Sequence, residues 1–168
     1  MTQGISTTEA LEILKTTEPV QMLEILRRAT EAREKHSGDK IKTCSIVNAK
    51  CGNCQQNCAF CAQSARSKAK IHTYPLIPAE EMYNAAKDAA EHGSHRFGIV
   101  TSGTKVVQGH DLDEICKAIR MIRKDLPILP CASLGIMTED AMLQLKEAGL
   151  DRYHHNLEAS PSYFPEIC

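Results

Sequence analysis

The chain has 168 residues, enough for one domain with a buried core. Twenty basic side chains against twenty-one acidic ones leave it near neutral, and aromatics are scarce with no tryptophan. This argues against nucleic acid and anionic membranes as partners and for a small molecule. The start carries no basic stretch leading into an apolar core, and no run of eighteen apolar residues occurs. A cytoplasmic protein is therefore expected, in which eight cysteines serve metal better than disulfides.

Taken in order, Ser6-Thr7-Thr8-Glu9 is a capping box that starts a short helix reaching about Thr16. Pro19 suits the first turn of a second helix, in which Val20, Leu23, Leu26 and Ala29 form an apolar stripe and Arg27, Arg28 and Arg33 face water. His36-Ser37-Gly38-Asp39 ends it. Residues 1–39 thus read as an N-terminal helical segment packed outside the main fold.

From Lys40 strand-like runs alternate with amphipathic helices: a strand at Ile41–Val47, a helix over 78–92, a strand at Arg96–Thr101 and a helix over 111–125. A third strand covers Leu129–Leu134, a helix 138–148 closed by Gly149, and a fourth strand Arg152–Leu157. Pro127 and Pro130 sit at the mouth of the third strand, where a central strand cannot spare its amide donors, so that strand starts no earlier than Leu129. Alternation of this kind means parallel pairing. The fold class is α/β, with four parallel strand–helix units, half the number in an eight-unit TIM-type barrel, the architecture that the family resemblance of their motifs implies for residues 40–168. A half-barrel with two unpaired edges is expected to be poorly soluble and inactive alone.

Five of the eight cysteines fall between Cys44 and Ser64, in CSIVNAKCGNCQQNCAFCAQS. Cys54, Cys58 and Cys61 stand as C-x3-C-x2-C, a spacing that lets three thiolates take three corners of one iron–sulfur cube and leaves the fourth iron open. Rival readings are a zinc ribbon from Cys51/Cys54 and Cys58/Cys61, a closed ferredoxin-type cluster, and a disulfide. The three residues between the knuckles are too few for a ribbon, and Ala62 stands where a ferredoxin run has proline. Cys51 reads as a spare thiol, and Cys44 as a small hydrophobe in a buried strand. Cys116 reads as core-facing and inert.

The spacing, Phe60 before the last cysteine and Ala62-Gln63-Ser64 after it resemble the cluster loop of the radical S-adenosylmethionine enzymes. CSIVNAK, CAQS and YHHNLEASPSYFPEIC together resemble the biotin synthase family, from about Cys44 to Cys168. The resemblance implies a sulfurtransferase that forms biotin from dethiobiotin. Its cofactors would be a 4Fe-4S cluster on Cys54, Cys58 and Cys61, S-adenosyl-L-methionine, and an auxiliary iron–sulfur cluster of 2Fe-2S or variant type. A flavodoxin- or ferredoxin-like reductant and a homodimer are the further partners implied. The cofactors carry the chemistry and no side chain is singled out as catalytic.

Function in such barrels gathers at the C-terminal ends of the strands. Phe60 and Ser102, the latter in the turn Thr101-Ser102-Gly103, are candidates to contact the cofactor, although a polar turn also simply stops a strand. In YHHNLE, alternation puts His154, Asn156 and Glu158 on one face and His155 on the other, as a core or supporting histidine. Asn156 and Glu158 match the residues with which the family holds the ribose and helps place the substrate. Cys131 matches an auxiliary-cluster ligand, but Gly98 stands where well-known biotin synthases have another. Cys168, an extra cysteine in the fourth loop, is expected to join Cys131 on that cluster. Gly98 leaves open a relative of the hydrogenase-cofactor maturase or methylornithine synthase type, against which YHHNLE and CAQS argue. A non-catalytic iron–sulfur-binding fragment is the reading from another class.

Overall fold

A computed structural model describes residues 4–106 and 109–168; the first three residues of the expected N-terminal segment lie outside it. The chain divides into two compact units, the first ending at Ile41 and the second running Lys42–Cys168.

The first unit holds α1 (Thr7–Lys15) and α2 (Pro19–Ser37). Ser6 caps α1 by accepting from the Glu9 amide at 3.1 Å, which satisfies one donor the helix leaves free. Pro19 sits in the first turn of α2, and Gly38 ends it at a φ of 68°. Arg28 pairs with Glu9, and Arg27 with Glu24 and Glu31. The stripe residues Val20, Leu23 and Leu26 are exposed.

The second unit runs β1 (Cys44–Lys50), α3 (Ala79–Glu91), β2 (Arg96–Thr101), α4 (His110–Asp125), β3 (Leu129–Ser133), α5 (Glu139–Glu147), β4 (Arg152–Tyr153) and α6 (Phe164–Ile167). The four strands form one parallel sheet in chain order. One face carries Phe97, Ile99, Ala132 and Leu134 into a core completed by Met82, Ala86, Leu112, Ile115, Ile119 and Ile122 of α3 and α4. Along the other face Ile46, Gly98, Cys131 and Arg152 form one row of the ladder.

Pro130 is accommodated inside β3 because successive residues of a parallel strand bond to opposite neighbours. The Leu129 amide donates to His95 O on the β2 side at 3.2 Å, whereas Pro130 faces β4, where its carbonyl accepts from the Asp151 amide at 2.9 Å. The missing donor falls before β4 begins.

Three expectations shift. β1 runs Cys44–Lys50, three residues later than expected, and Cys44 opens it as an exposed residue. Cys44 shares a face with Ile46, away from α3 and α4, so no helix covers it. β4 stops at Tyr153, whose hydroxyl accepts from the Leu134 amide and donates to Gly135 O, and the chain then leaves the sheet. α6 follows where only a loop was expected.

Candidate cofactor site

The cysteine loop leaves the C-terminal end of β1 and is fastened by its own main chain. Cys51 and Tyr74 exchange two backbone bonds of 3.1 Å, and Tyr74 donates its hydroxyl to Asn48 O at 2.7 Å. Cys54 donates its amide to Gln63 O at 3.0 Å and accepts from the Ala65 amide at 2.9 Å. Gly52 has a φ of 80°, and a Cβ there would stand 2.4 Å from Thr73 Cγ2, so the close approach of the two segments requires glycine.

Cys51, the cysteine without a sequence-based role, is buried and lines neither cavity beside the loop. Its thiol donates to Gln63 Oε1 at 3.2 Å, and the Gly52 amide donates to the same oxygen at 2.6 Å. Cys51 therefore holds the Gln63 carboxamide in place. Gln63 itself lines the main cavity.

That cavity, of about 560 Å³, lies over the C-terminal ends of β1, β2 and β3. Cys54, Cys58 and Cys61 all line it. So do Phe60, Ser102, Asn156, Glu158 and Cys168. Of the residues expected to hold a cluster or contact the cofactor, Cys131 is the one not on its wall. No three His, Cys, Asp or Glu side chains among the described residues close around a point tightly enough for a single ion. Thiolates that each hold a different iron of a cube have no need to. Thr101 is on the same wall, and its Oγ1 is buried with no partner among the described residues. The donor set and a mostly apolar wall carrying a few polar side chains fit an iron–sulfur cluster with a small organic cofactor.

Ser102 lines the cavity, but its hydroxyl donates to Gly52 O at 2.7 Å and so braces the cysteine loop. His155, expected in the core, is exposed and lines the cavity together with Asn156 and Glu158. The alternation that separated them fails because the strand ends at Tyr153 and Glu158 adopts a φ of 62°, which turns the chain over the cavity. His154 is not on the wall.

Cys131 and Cys168 are not brought together. Cys131 lies buried within β3, where the Arg96 guanidinium approaches its sulfur at 3.7 Å while also pairing with Asp151. Cys168 is carried by α6 back to the cysteine loop, where the Ala59 amide donates to Ile167 O at 2.8 Å. Burial first, and the neighbouring Cys58 thiol second, push the Cys168 thiol above the ordinary range. Beside Cys131, the position of Gly98 is partly filled: a Cβ there would meet Ile46 Cγ2 at 3.1 Å. Cys116 is buried in α4, and burial pushes its thiol up.

The chain belongs to the radical SAM superfamily, whose profile matches residues 50–168. In sequence it is similar to biotin synthases: 49% identical over 166 residues to that of Citrifermentans bemidjiense, covering 98% of this chain and 50% of the relative. The biotin synthase of Pelobacter propionicus is 46% identical over 144 residues, 86% of this chain and 44% of that one. The chain thus spans about half the length of the curated relatives it matches. In fold it is similar to the crystal structure of a methylornithine synthase, with a TM-score of 0.73, 17% identity and coverage of 90% of this chain and 44% of the other. A maturase of the FeFe hydrogenase gives a TM-score of 0.71 at 19% identity, covering 90% of this chain and 33% of the other. No helix among the described residues is long and apolar enough to cross a membrane.

Proposed function

We propose that this chain is the cofactor-binding half of a biotin synthase, a sulfurtransferase that uses S-adenosylmethionine and an iron–sulfur cluster to insert sulfur into dethiobiotin. The observation that carries the reading is the convergence of Cys54, Cys58 and Cys61 on one cavity, in a chain 49% identical to a biotin synthase along nearly its whole length. When bound, the cluster and S-adenosylmethionine would supply an electron and, from the broken sulfonium, a species that abstracts hydrogen from an unactivated carbon.

The chain's own residues bind, orient and exclude water. Cys54, Cys58 and Cys61 would hold three irons, and no step requires Cys51, whose thiol is occupied with Gln63. Glu158 and Asn156 present a carboxylate and a carboxamide suited to vicinal hydroxyls such as those of a ribose. Phe60 offers an aromatic face to the same ligand. Ser102 acts on the loop rather than on the ligand. An auxiliary cluster, with Cys131 as a ligand, an electron-donating protein and a dimer belong to the same proposal. So does a 168-residue chain that binds its cofactors without forming biotin.

The test is anaerobic reconstitution with iron and sulfide. The protein should take up a four-iron cluster whose spectrum changes on addition of S-adenosylmethionine. Cys54→Ala, Cys58→Ala and Cys61→Ala should each abolish it, and Cys51→Ala should retain it. A cluster that needs Cys51, or a spectrum indifferent to S-adenosylmethionine, would count against the open-iron reading and for a closed electron-transfer cluster.

A further inference from the structure

We infer that Cys58 and Cys168 are a thiol pair, placed to join as a disulfide when the cysteine loop carries no iron. Four cysteines line the main cavity, but Cys58, Cys61 and Cys168 also line a second one of about 580 Å³ on the other side of the loop. Cys168 therefore stands against the Cys58–Cys61 end and not against Cys54. The Ala59–Ile167 hydrogen bond draws the two main chains together at the point where each carries its cysteine. A disulfide needs that approach first, with Cα atoms roughly 4.4–6.8 Å apart.

Cys168 is also held. Its amide donates to Phe164 O at 2.9 Å, and the Phe164 and Tyr163 amides donate to Ser160 O, so a turn of helix presents the thiol to the loop. The cysteines outside the C-x3-C-x2-C run are poor competitors. The Cys51 thiol is buried against Gln63, Cys116 and Cys131 are buried in α4 and β3, and Cys44 lies at the far end of β1. Cys58 and Cys168 are only half-buried, so an oxidant reaches both.

In the step itself the two thiols lose two protons and two electrons and one S–S bond forms. A diazene oxidant such as diamide accepts both electrons and both protons and becomes the hydrazine. The product has one loop thiolate fewer for iron, and a dithiol reductant restores it. The pairing stands on the geometry alone, whereas its competition with iron rests on the function proposed above.

The experiment oxidises the cluster-free 168-residue chain with diamide, alkylates the remaining thiols and maps the linked peptides by mass spectrometry. A Cys58–Cys168 linkage that dithiothreitol removes, and that is absent in Cys58→Ser and in Cys168→Ser, is expected. Cys58 joined mainly to Cys61 or Cys54, with Cys168 recovered alkylated, overturns the proposal; the mapping is made on the unaltered chain, so it does not depend on a variant folding. Loading with iron and sulfide before oxidation should lower the yield of the linkage about tenfold or more, because a metal-bound thiolate is withheld from the oxidant. An undiminished yield after iron uptake leaves the pairing standing and removes Cys58 from the cluster ligands.

Discussion

Gly135, on the cavity wall, shows how much of the site rests on single residues without a side chain to offer a ligand. Its φ is 80°, and a Cβ there would lie 2.1 Å from the Thr104 carbonyl oxygen, in the segment where Ile136 N donates to Thr104 O at 2.7 Å and Val106 N to Leu134 O at 3.1 Å. Gly135→Ala therefore forces apart the two loops that wall the cavity after β2 and β3, and its cost should be on the order of 3 kcal/mol. Urea unfolding measures this directly; an unchanged midpoint would mean that the loops part at little cost. That Cys54, Cys58 and Cys61 share one cavity was legible because their spacing is a local property. The roles of Cys51 and Gln63 were not, since the bond between them depends on how the loop folds back on itself.

Among the elements, α3 begins at Pro78–Ala79 without a capping side chain of its own. Its first buried amide, that of Ala79, donates instead to Glu114 Oε2 of α4 at 2.8 Å. Glu114→Ala should cost about 1–2 kcal/mol, the loss of a cap that leaves a buried donor unmet, and Glu114→Gln less, because an amide oxygen still accepts. Equal unfolding midpoints for all three proteins would show that water replaces the carboxylate. Helices α1 to α5 and β2 were readable from periodicity and from Gly or Pro punctuation, which are written into neighbouring residues. β4 was overextended because alternation reports a half-buried surface and not the presence of a partner strand. Past His154, whose amide donates to Ala132 O at 2.8 Å, no ladder bond holds residues 155–157 among the described residues. The destination of Cys168 was illegible for the same reason: α6 returns to the cysteine loop through a contact made more than a hundred positions away.

For the second unit as a whole, one acid-sensitive point is the pair in which Arg96 of β2 reaches across β3 to Asp151, just before β4. The Arg96 guanidinium bonded to Asp151 holds that carboxyl below its ordinary value of 3.8. A carboxylate so depressed contributes its full share of stability above the ordinary value and loses it as pH falls through the depressed one. Stability should thus decline below about pH 4, and Asp151→Asn should flatten that part of the curve while lowering stability at neutral pH. Thermal midpoints from pH 2 to 7 would expose the difference; parallel curves for the two proteins would place the acid sensitivity elsewhere.

The bond between Ala59 and Ile167 also sets an order of events. Sheet and helices of this unit join neighbours in the chain, but this contact must close a loop nearly as long as the unit itself, and such closures come late and at an entropic cost. The cysteine loop therefore reaches its final shape only after α6 exists, and iron that arrives earlier meets an unfinished cradle. The Ala59 amide is a one-residue clock for that closure: in hydrogen exchange it should open more readily than the β2 and β3 amides, and its protection should rise when iron and sulfide are added. Protection of Ala59 equal to that of the central strands before iron is present would mean that the cradle is finished with the sheet.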